Sequence, residues 1–223
     1  RTNNNIIDRV RDSETEVLEP GPFISGEDME KFMEVYKEAL SDSKVVVLSG
    51  GLPQGVPACC YKALIEEAKN FNIPVILDSG GDALKEGIKA KPNVIKPNLR
   101  ELGSLIQKEL RDMDEIVEAL KEINADGIDI SMVSMGDKGA VLCTKDLCLR
   151  VKVPHVETVN TIGSGDAMVA GFAAGLARDK TMEECLRLAA ACGVSNARFL
   201  EIGVVDKNEV EIQKNRVEIE RIS

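Results

Sequence analysis

Short apolar runs alternate with longer amphipathic segments along this 223-residue chain, and this alternation constrains the fold most. Four of the runs are typical of buried strands: residues 45–50, 74–79, 93–96 and 130–135. Between them, apolar residues recur at the spacing of a helix face. Strands that alternate with helices predict an α/β fold, in which a mostly parallel sheet is covered by helices on both faces.

The same pattern predicts where a ligand would bind. In open parallel sheets the ligand site lies at the carboxyl ends of the strands. This rule brings five segments to one rim of the sheet: residues 49–51, 78–80, 96–98, 134–136 and 163–166. We therefore look for functional residues in these segments.

The beginning of the chain predicts a different kind of structure. Residues 1–22 alternate in polarity, contain few apolar residues and close with Pro20-Gly21-Pro22. Such a segment is typical of a lid strand or of an edge strand. We predict a lid-strand segment over residues 1–22 and a single α/β core over residues 23–223. A helix should open that core, because Ser25 and Asp28 resemble a capping box. Its predicted core face carries Met29, Phe32, Met33, Tyr36 and Leu40.

The remaining segments continue the alternation. Asn98 can cap a helix after Pro97, and a second helix is predicted over residues 112–124. Residues 136–139 form a tight connection that predicts a hairpin. Further helices are expected over residues 181–199 and from Asp206 onward. The alternating segment 215–222 predicts an edge strand.

Charge and cysteine content limit the classes of partner. The net charge of -10 argues against nucleic acid and anionic membrane surfaces, but it permits phosphorylated small molecules. No apolar run approaches the length of a membrane span. The six cysteines form no CxxC pair, and a single histidine leaves little for a zinc site. We expect most of the cysteines to be reduced core residues, which suits the cytoplasm.

One stretch, residues 161–171, combines features of a chemical site. Gly163 and Gly165 permit unusual backbone angles and close approach of another molecule. Asp166 stands where a helix should begin, and the free N–H groups at a helix start bind anions. A carboxylate there can accept a proton from a hydroxyl that attacks a bound phosphoryl group. The alternative is an ordinary first-turn acid after a tight turn. The stretch by itself favours neither interpretation.

Other nucleotide motifs are absent. The sequence contains no GxxxxGK[ST], which argues against a P-loop enzyme. The spacing of Gly163, Gly165 and Gly171 is not GxGxxG, so a dinucleotide-binding fold has weak support. The HRD element of protein kinases is also missing.

Four motifs in order resemble the ribokinase family of carbohydrate kinases, also called the PfkB family. Residues 163–171 are similar to its GAGDxxxAG signature, with Ser164 in the usual alanine position. Residues 96–101 resemble its KPNxxE element, and residues 134–140 resemble its SLGxxGA nucleotide loop.

The fourth motif points to one branch of that family. Residues 49–55 are similar to the SGSLPxG element of the hexose-phosphate kinases, with Gly51 in place of serine. The resemblance implies a three-layer ribokinase-like fold with a small β lid. Members of the family also have an earlier segment with a first strand, a sugar-binding aspartate and a GGKG-like element. None of these is recognisable in this sequence, so we expect the N-terminal strands to be missing here.

The resemblance also implies roles for individual residues. Asp166 would be the catalytic base, and the amides of Gly163, Ser164 and Gly165 would form an anion hole. Glu101 would act through Mg²⁺ and its waters, although by itself it is also typical of a first-turn helix acid.

Nucleotide and substrate residues follow in the same way. Lys96 would reach the nucleotide phosphates, although it could equally be a solvated strand end. The other nucleotide-binding candidates are Asn98, Ser134, Gly136, Gly139, Cys192 and Asn196. For Cys192 and Asn196, close helix packing is an equal alternative to adenine contact. Arg1, Ser49, Gly50 and Gly51 are the candidates for binding the sugar phosphate.

These roles together predict a kinase that uses ATP and Mg²⁺ to phosphorylate a ketohexose monophosphate. Fructose 1-phosphate, tagatose 6-phosphate and fructose 6-phosphate are the candidate acceptors. The alternatives are a kinase of an unphosphorylated sugar or nucleoside, a nucleotide-binding module without catalysis and, more weakly, a dinucleotide-binding protein. The family likeness also suggests a homodimer through the lid strands.

Overall fold

Two antiparallel strands at the start of the chain form a small sheet of their own. They are β1 (Asn3–Asp8) and β2 (Ser13–Leu18), and Asn3 pairs with Leu18 at the open end. The computed structural model describes residues 2–8, 11 and 13–222, so Arg1 lies outside the described residues. The extended structure predicted for this segment is confirmed, and its strands belong to a sheet separate from the central one.

A seven-stranded sheet forms the centre of the protein, and its strands lie in chain order across it. Neighbours pair in parallel from the first strand to the fourth, and the last three pairs are antiparallel. Five of the seven strands therefore run in one direction, as the alternating pattern predicts. The strands are β3 (Val46–Ser49), β4 (Val75–Asp78), β5 (Val94–Ile95), β6 (Ile130–Ser134), β7 (Ala140–Cys143), β8 (Cys148–Lys152) and β9 (Glu218–Arg221).

Helices cover both faces of this sheet and complete three layers. Successive strand residues point to opposite faces, so Leu77 joins one apolar cluster and Ile76 joins the other. The first cluster includes residues of α1 to α5, and the second includes residues of α6 and α7. The helices are α1 (Gly26–Leu40), α2 (Cys60–Asn70), α3 (Gly81–Gly87), α4 (Leu99–Ile106), α5 (Met113–Ala125), α6 (Ser164–Leu176), α7 (Met182–Ala197) and α8 (Lys207–Arg216).

Local capping signals fix several helix starts. The Ser25 hydroxyl accepts from the Asp28 amide, and the Asp28 carboxylate accepts from the Ser25 amide, which confirms the predicted capping box. The stripe that follows is less buried than predicted. Leu40 is buried, but Phe32 is 47% exposed, so the assignment of Phe32 to the core is wrong. Helical spacing defines a face, but it does not determine how far a neighbouring element covers that face.

Strand β3 also differs from its prediction. It pairs in parallel with β4 as expected, but it lies at the edge of the described sheet and Val47 is 40% exposed. An apolar run of this length is typical of a central strand, and periodicity does not reveal which strand has only one neighbour. The Tyr61 hydroxyl donates to the carbonyls of Ser49 and Gly50 and so fixes the end of β3.

Cysteine pairing is a further finding. Cys143 and Cys148 face each other across the β7–β8 hairpin and form a disulfide, which the sequence did not predict. The other four cysteines, Cys59, Cys60, Cys185 and Cys192, are free, as expected for most of the set. In the described part of the chain, no helix has the length and apolar character needed to cross a membrane.

Candidate active site

The carboxyl ends of the parallel strands surround a cavity of about 350 Å³. This acceptor-side cavity is lined by residues from every rim segment that the sheet rule identified, including Ser49 from β3 and Asp166 from α6. Its lining is Ser49, Gly50, Gly51, Asp78, Ser79, Gly80, Lys96, Asn98, Glu101, Ser134, Gly165 and Asp166. The structure thus brings together nine residues that the sequence singles out, and adds the 78–80 segment, to which no role had been assigned.

A second cavity, of about 420 Å³, lies between the β6–β7 connection, the segment after β8, and helices α6 and α7. We call it the donor-side cavity. Three of the predicted nucleotide residues line it, namely Ser134, Gly136 and Gly139. Ser134 and Gly165 line both cavities, so the two spaces meet at the start of α6. This arrangement can place two ligands end to end with that helix start between them.

The turn before α6 needs glycine at its centre. Gly163 has φ +80°, and a Cβ at this position would lie 2.7 Å from Cγ2 of Ile202. Ser164 donates its amide to the Thr161 carbonyl across 3.1 Å. The amides of Gly163 and Gly165 have no hydrogen-bond partner among the described residues. Two of the three predicted donors are therefore available to an anion at a helix start.

Asp166 lies beside this turn, in the first helical turn of α6. Its side chain is exposed in the acceptor-side cavity, and its Oδ1 accepts a hydrogen bond from the Ser49 hydroxyl across 3.2 Å. A carboxylate in this position is oriented by β3 and remains accessible to a ligand, as a general base requires.

A buried ion pair lies beneath the same cavity. Lys96 Nζ is 3.0 Å from Asp78 Oδ1, and the two side chains are 5% and 13% exposed. The pairing of Leu77 with Ile95 brings the two charges together, because Asp78 directly follows Leu77 and Lys96 directly follows Ile95. The alternative that Lys96 is a solvated strand end is therefore wrong. A Cβ at Gly165 would lie 3.9 Å from Lys96 Nζ, so the ammonium is close to the turn.

The pKa of the Asp78 carboxyl is raised above its ordinary value. Burial raises the pKa of its carboxyl, the Lys96 ammonium opposes this rise, and the charges of Asp166 and Glu101 add to it. The carboxylates and the lysine consequently form one electrostatic unit at the cavity floor.

Glu101 is held in place by its helix. Its Oε2 accepts from the Asn98 amide across 2.9 Å, while the Asn98 side chain accepts from the Glu101 amide, which confirms the cap predicted for Asn98. Its Oε1 points toward Gly80. Among the described residues, no three His, Cys, Asp or Glu side chains are grouped to hold a metal ion. One carboxylate facing a phosphate site nonetheless fits Mg²⁺, which keeps several waters and takes its other ligands from phosphate oxygens.

Two predicted nucleotide residues, Cys192 and Asn196, line neither cavity. Asn196 is fully buried and hydrogen bonds to the turn before α6. The Cys192 thiol packs where a side chain at Gly171 would lie, at 3.0 Å. Both positions fit the alternative of close packing between α6 and α7, and contact with adenine remains a prediction. Conversely, His155 and its neighbours line the cavity, and sequence reasoning missed them because their segment has no regular periodicity.

Comparison with known proteins identifies the family of this chain and several solved structures with the same fold. A family model of the pfkB family carbohydrate kinases matches residues 1–198. Phosphofructokinase-2 from Escherichia coli, solved with potassium, is 27% identical with a TM-score of 0.89, over 97% of this chain and 70% of that chain. The same enzyme solved with fructose-6-phosphate gives 25% identity and a TM-score of 0.86 over 97% and 70%. A possible 1-phosphofructokinase from Thermotoga maritima, 24% identical, shares the fold with a TM-score of 0.89 over 99% and 70%.

Proposed function

The chain belongs to the pfkB family of carbohydrate kinases, and from this premise we propose that it transfers the γ-phosphate of ATP to a hydroxyl of a ketohexose monophosphate. Fructose 1-phosphate, tagatose 6-phosphate and fructose 6-phosphate are the candidate acceptors. The observation that carries the proposal is the position of Asp166, in the acceptor-side cavity and directly after Gly165, where that cavity meets the donor-side cavity.

The proposed chemistry follows from this position. ATP occupies the donor-side cavity with its terminal phosphate at the start of α6, and the sugar occupies the acceptor-side cavity. Asp166 accepts the proton of the sugar hydroxyl as that oxygen attacks the γ-phosphorus, the bond to the bridging oxygen breaks and ADP leaves. The amides of Gly163 and Gly165, and the nearby Lys96 ammonium, stabilise the charge on the migrating phosphoryl group. The hydrogen bond from Ser49 keeps the Asp166 carboxylate in one orientation.

In the proposed reaction, Glu101 is the residue that binds magnesium. Glu101 would hold Mg²⁺ through its waters, and the ion supplies positive charge beside the ATP phosphates. The capping box with Asn98 fixes the Glu101 backbone and one carboxylate oxygen. The other oxygen then has a constant position relative to the phosphate site.

The phosphate preference rests on the loop after β3. Gly50 has φ +87°, and no atom lies within 4 Å of where a Cβ would stand on either Gly50 or Gly51. This open space lets a phosphate approach the backbone amides. We assign the remaining positive charge to Arg1, which can bind phosphate with two parallel hydrogen bonds. The fructose-6-phosphate bound by the related phosphofructokinase-2 supports an acceptor of this class.

One observation favours a second candidate, a kinase of an unphosphorylated sugar or nucleoside. The described lining of the acceptor-side cavity carries Asp78, Glu101 and Asp166 but only one cation, Lys96, which is already paired. Such a lining suits a neutral, hydroxyl-rich acceptor better than a dianion.

An acceptor panel separates the candidates. ADP release would be measured with ATP, Mg²⁺ and each of fructose 1-phosphate, tagatose 6-phosphate, fructose 6-phosphate, fructose, ribose and adenosine. We expect the highest kcat/KM with one of the ketohexose monophosphates. A higher value with an unphosphorylated acceptor would establish the second candidate. If the protein bound ATP but released no ADP with any of the six acceptors, it would be a nucleotide-binding module without catalysis.

A further inference from the structure

Two buried asparagines hold the turn before α6. The turn has little support of its own, because its central residue is Gly163 and no side chain caps the helix. Asn160 and Asn196 are 4% and 0% exposed, and both side chains bond to this turn. Burial of a primary amide is costly unless its donors and acceptor are satisfied, so the contacts of these two side chains are specific.

Asn196 joins three segments. Its Nδ2 donates to the Ile162 carbonyl across 2.9 Å and to the Ser164 hydroxyl across 3.2 Å. Its Oδ1 accepts from the Gly203 amide across 2.8 Å. The end of α7 is thereby linked both to the turn and to the loop that follows α7.

Asn160 makes a second link between the same turn and the same loop. Its Oδ1 accepts from the Ile162 amide across 3.0 Å, and its Nδ2 donates to the Leu200 carbonyl across 2.9 Å. Ile162 is therefore held at both its carbonyl and its amide, each by a different asparagine. The side chain of Ile202, from that loop, also lies against Gly163.

We infer that Asn160 and Asn196 are positioning residues for phosphoryl transfer, because they fix the amides of Gly163 and Gly165 in the geometry that receives the migrating phosphate. This inference rests on the proposed function. Neither asparagine side chain lines either cavity, so each acts through the turn and not through contact with a ligand. A small displacement of preorganised donors lowers the rate much more than it lowers ground-state binding.

The test compares Asn160→Ala, Asn196→Ala and the isosteric Asn196→Asp. The last keeps an acceptor for Gly203 and removes both donors. Asn93→Ala is the control, because Asn93 also links separate segments, but at the amino ends of the strands. It accepts from the Val75 amide and donates to the Asp129 carboxylate. Steady-state kinetics would be measured with ATP and the best acceptor of the panel, at a temperature where circular dichroism shows each variant folded.

We expect kcat to fall about 10- to 100-fold in the Asn160 and Asn196 variants, with KM for ATP and acceptor changed little. Asn93→Ala should lose thermal stability and keep its kcat. Unchanged kcat in the folded Asn160 and Asn196 variants, or an equal loss in Asn93→Ala, would overturn the inference. If Asp166→Asn were inactive while these variants turned over normally, only this inference would fail. Normal turnover of Asp166→Asn would instead contradict the role of Asp166 as base, and a wild-type protein that turned over none of the acceptors would remove the proposed function.

Discussion

The hydroxyl of Ser49 donates a hydrogen bond to the carboxylate of Asp166 across 3.2 Å, although 117 residues separate them in the chain. Ser49 is the last residue of β3, and Asp166 lies in the first turn of α6. The bond joins the motif assigned to the sugar with the motif assigned to the phosphoryl group. It therefore brings two distant segments together at the rim of the sheet, as the proposed site for the sugar hydroxyl requires.

Loss of this bond should weaken catalysis moderately. We expect Ser49→Ala to lower kcat about fivefold, the equivalent of a hydrogen bond worth about 1 kcal/mol, because Asp166 would sample unproductive orientations. KM for ATP should not change. Ser43→Ala is the control, since the Ser43 hydroxyl bonds to the Ala39 carbonyl just before β3, away from both cavities. An equal decrease in both variants would argue against a role for Ser49 in orienting the base.

The Lys96–Asp78 pair predicts a pH-dependent loss of stability. Burial raises the folded pKa of Asp78 above its ordinary value of 3.8, so its contribution to stability is full below that value and is lost as the pH rises through the folded pKa. Lys96→Met removes the charge that opposes this rise. We expect its free energy of unfolding to be about 3 kcal/mol lower than wild type at neutral pH. The difference should be smaller at acidic pH, where Asp78 is protonated.

Urea unfolding from acidic to neutral pH would measure this effect. The double variant Asp78→Asn/Lys96→Met is the control, because it has no carboxylate at position 78 and its deficit should not grow with pH. A deficit of the same size at every pH in Lys96→Met would contradict the assigned cause.

A substitution at Glu101 can separate its proposed role in binding the metal from its role in capping α4. Glu101→Gln retains an oxygen that can accept from the Asn98 amide, so the capping box and α4 should persist. We expect the Mg²⁺ concentration for half-maximal activity to rise about 10- to 100-fold, because the carboxylate charge is lost. Glu184→Gln is a matched control in the equivalent capping box with Thr181, outside the linings of both cavities. The same magnesium shift in both variants would exclude a specific metal role for Glu101.

The site was predictable where its geometry is local. The capping box between Asn98 and Glu101 spans four residues, and the glycine turn before Asp166 is contained in one short motif. Such features depend on the backbone preferences of individual residue types, which can be read from a few neighbouring residues. The same holds for the order of strands and helices, which hydrophobic periodicity predicted well.

The parts that were missed depend on register and packing. Asp78 and Lys96 pair only because β4 and β5 are parallel with Leu77 beside Ile95. That register, once assumed, would have predicted the pair. The short helix α3 was not predicted, since Gly80 and Gly81 at its start are typical of a loop. The buried contacts of Asn196 depend on how the loop after α7 folds back, for which the sequence has no local signal.

The central claim, that Asp166 is the base for phosphoryl transfer, is tested most directly by Asp166→Asn. The substitution keeps the size and polarity of the side chain and removes its capacity to accept the proton. Asp114→Asn is the matched control, because Asp114 is also a first-turn acid, at the start of α5. Turnover of the best acceptor and binding of ATP would be measured for both. We predict that kcat of Asp166→Asn falls about 10²- to 10⁴-fold while ATP binding and Asp114→Asn remain near wild type. Near-normal turnover in Asp166→Asn would contradict the account.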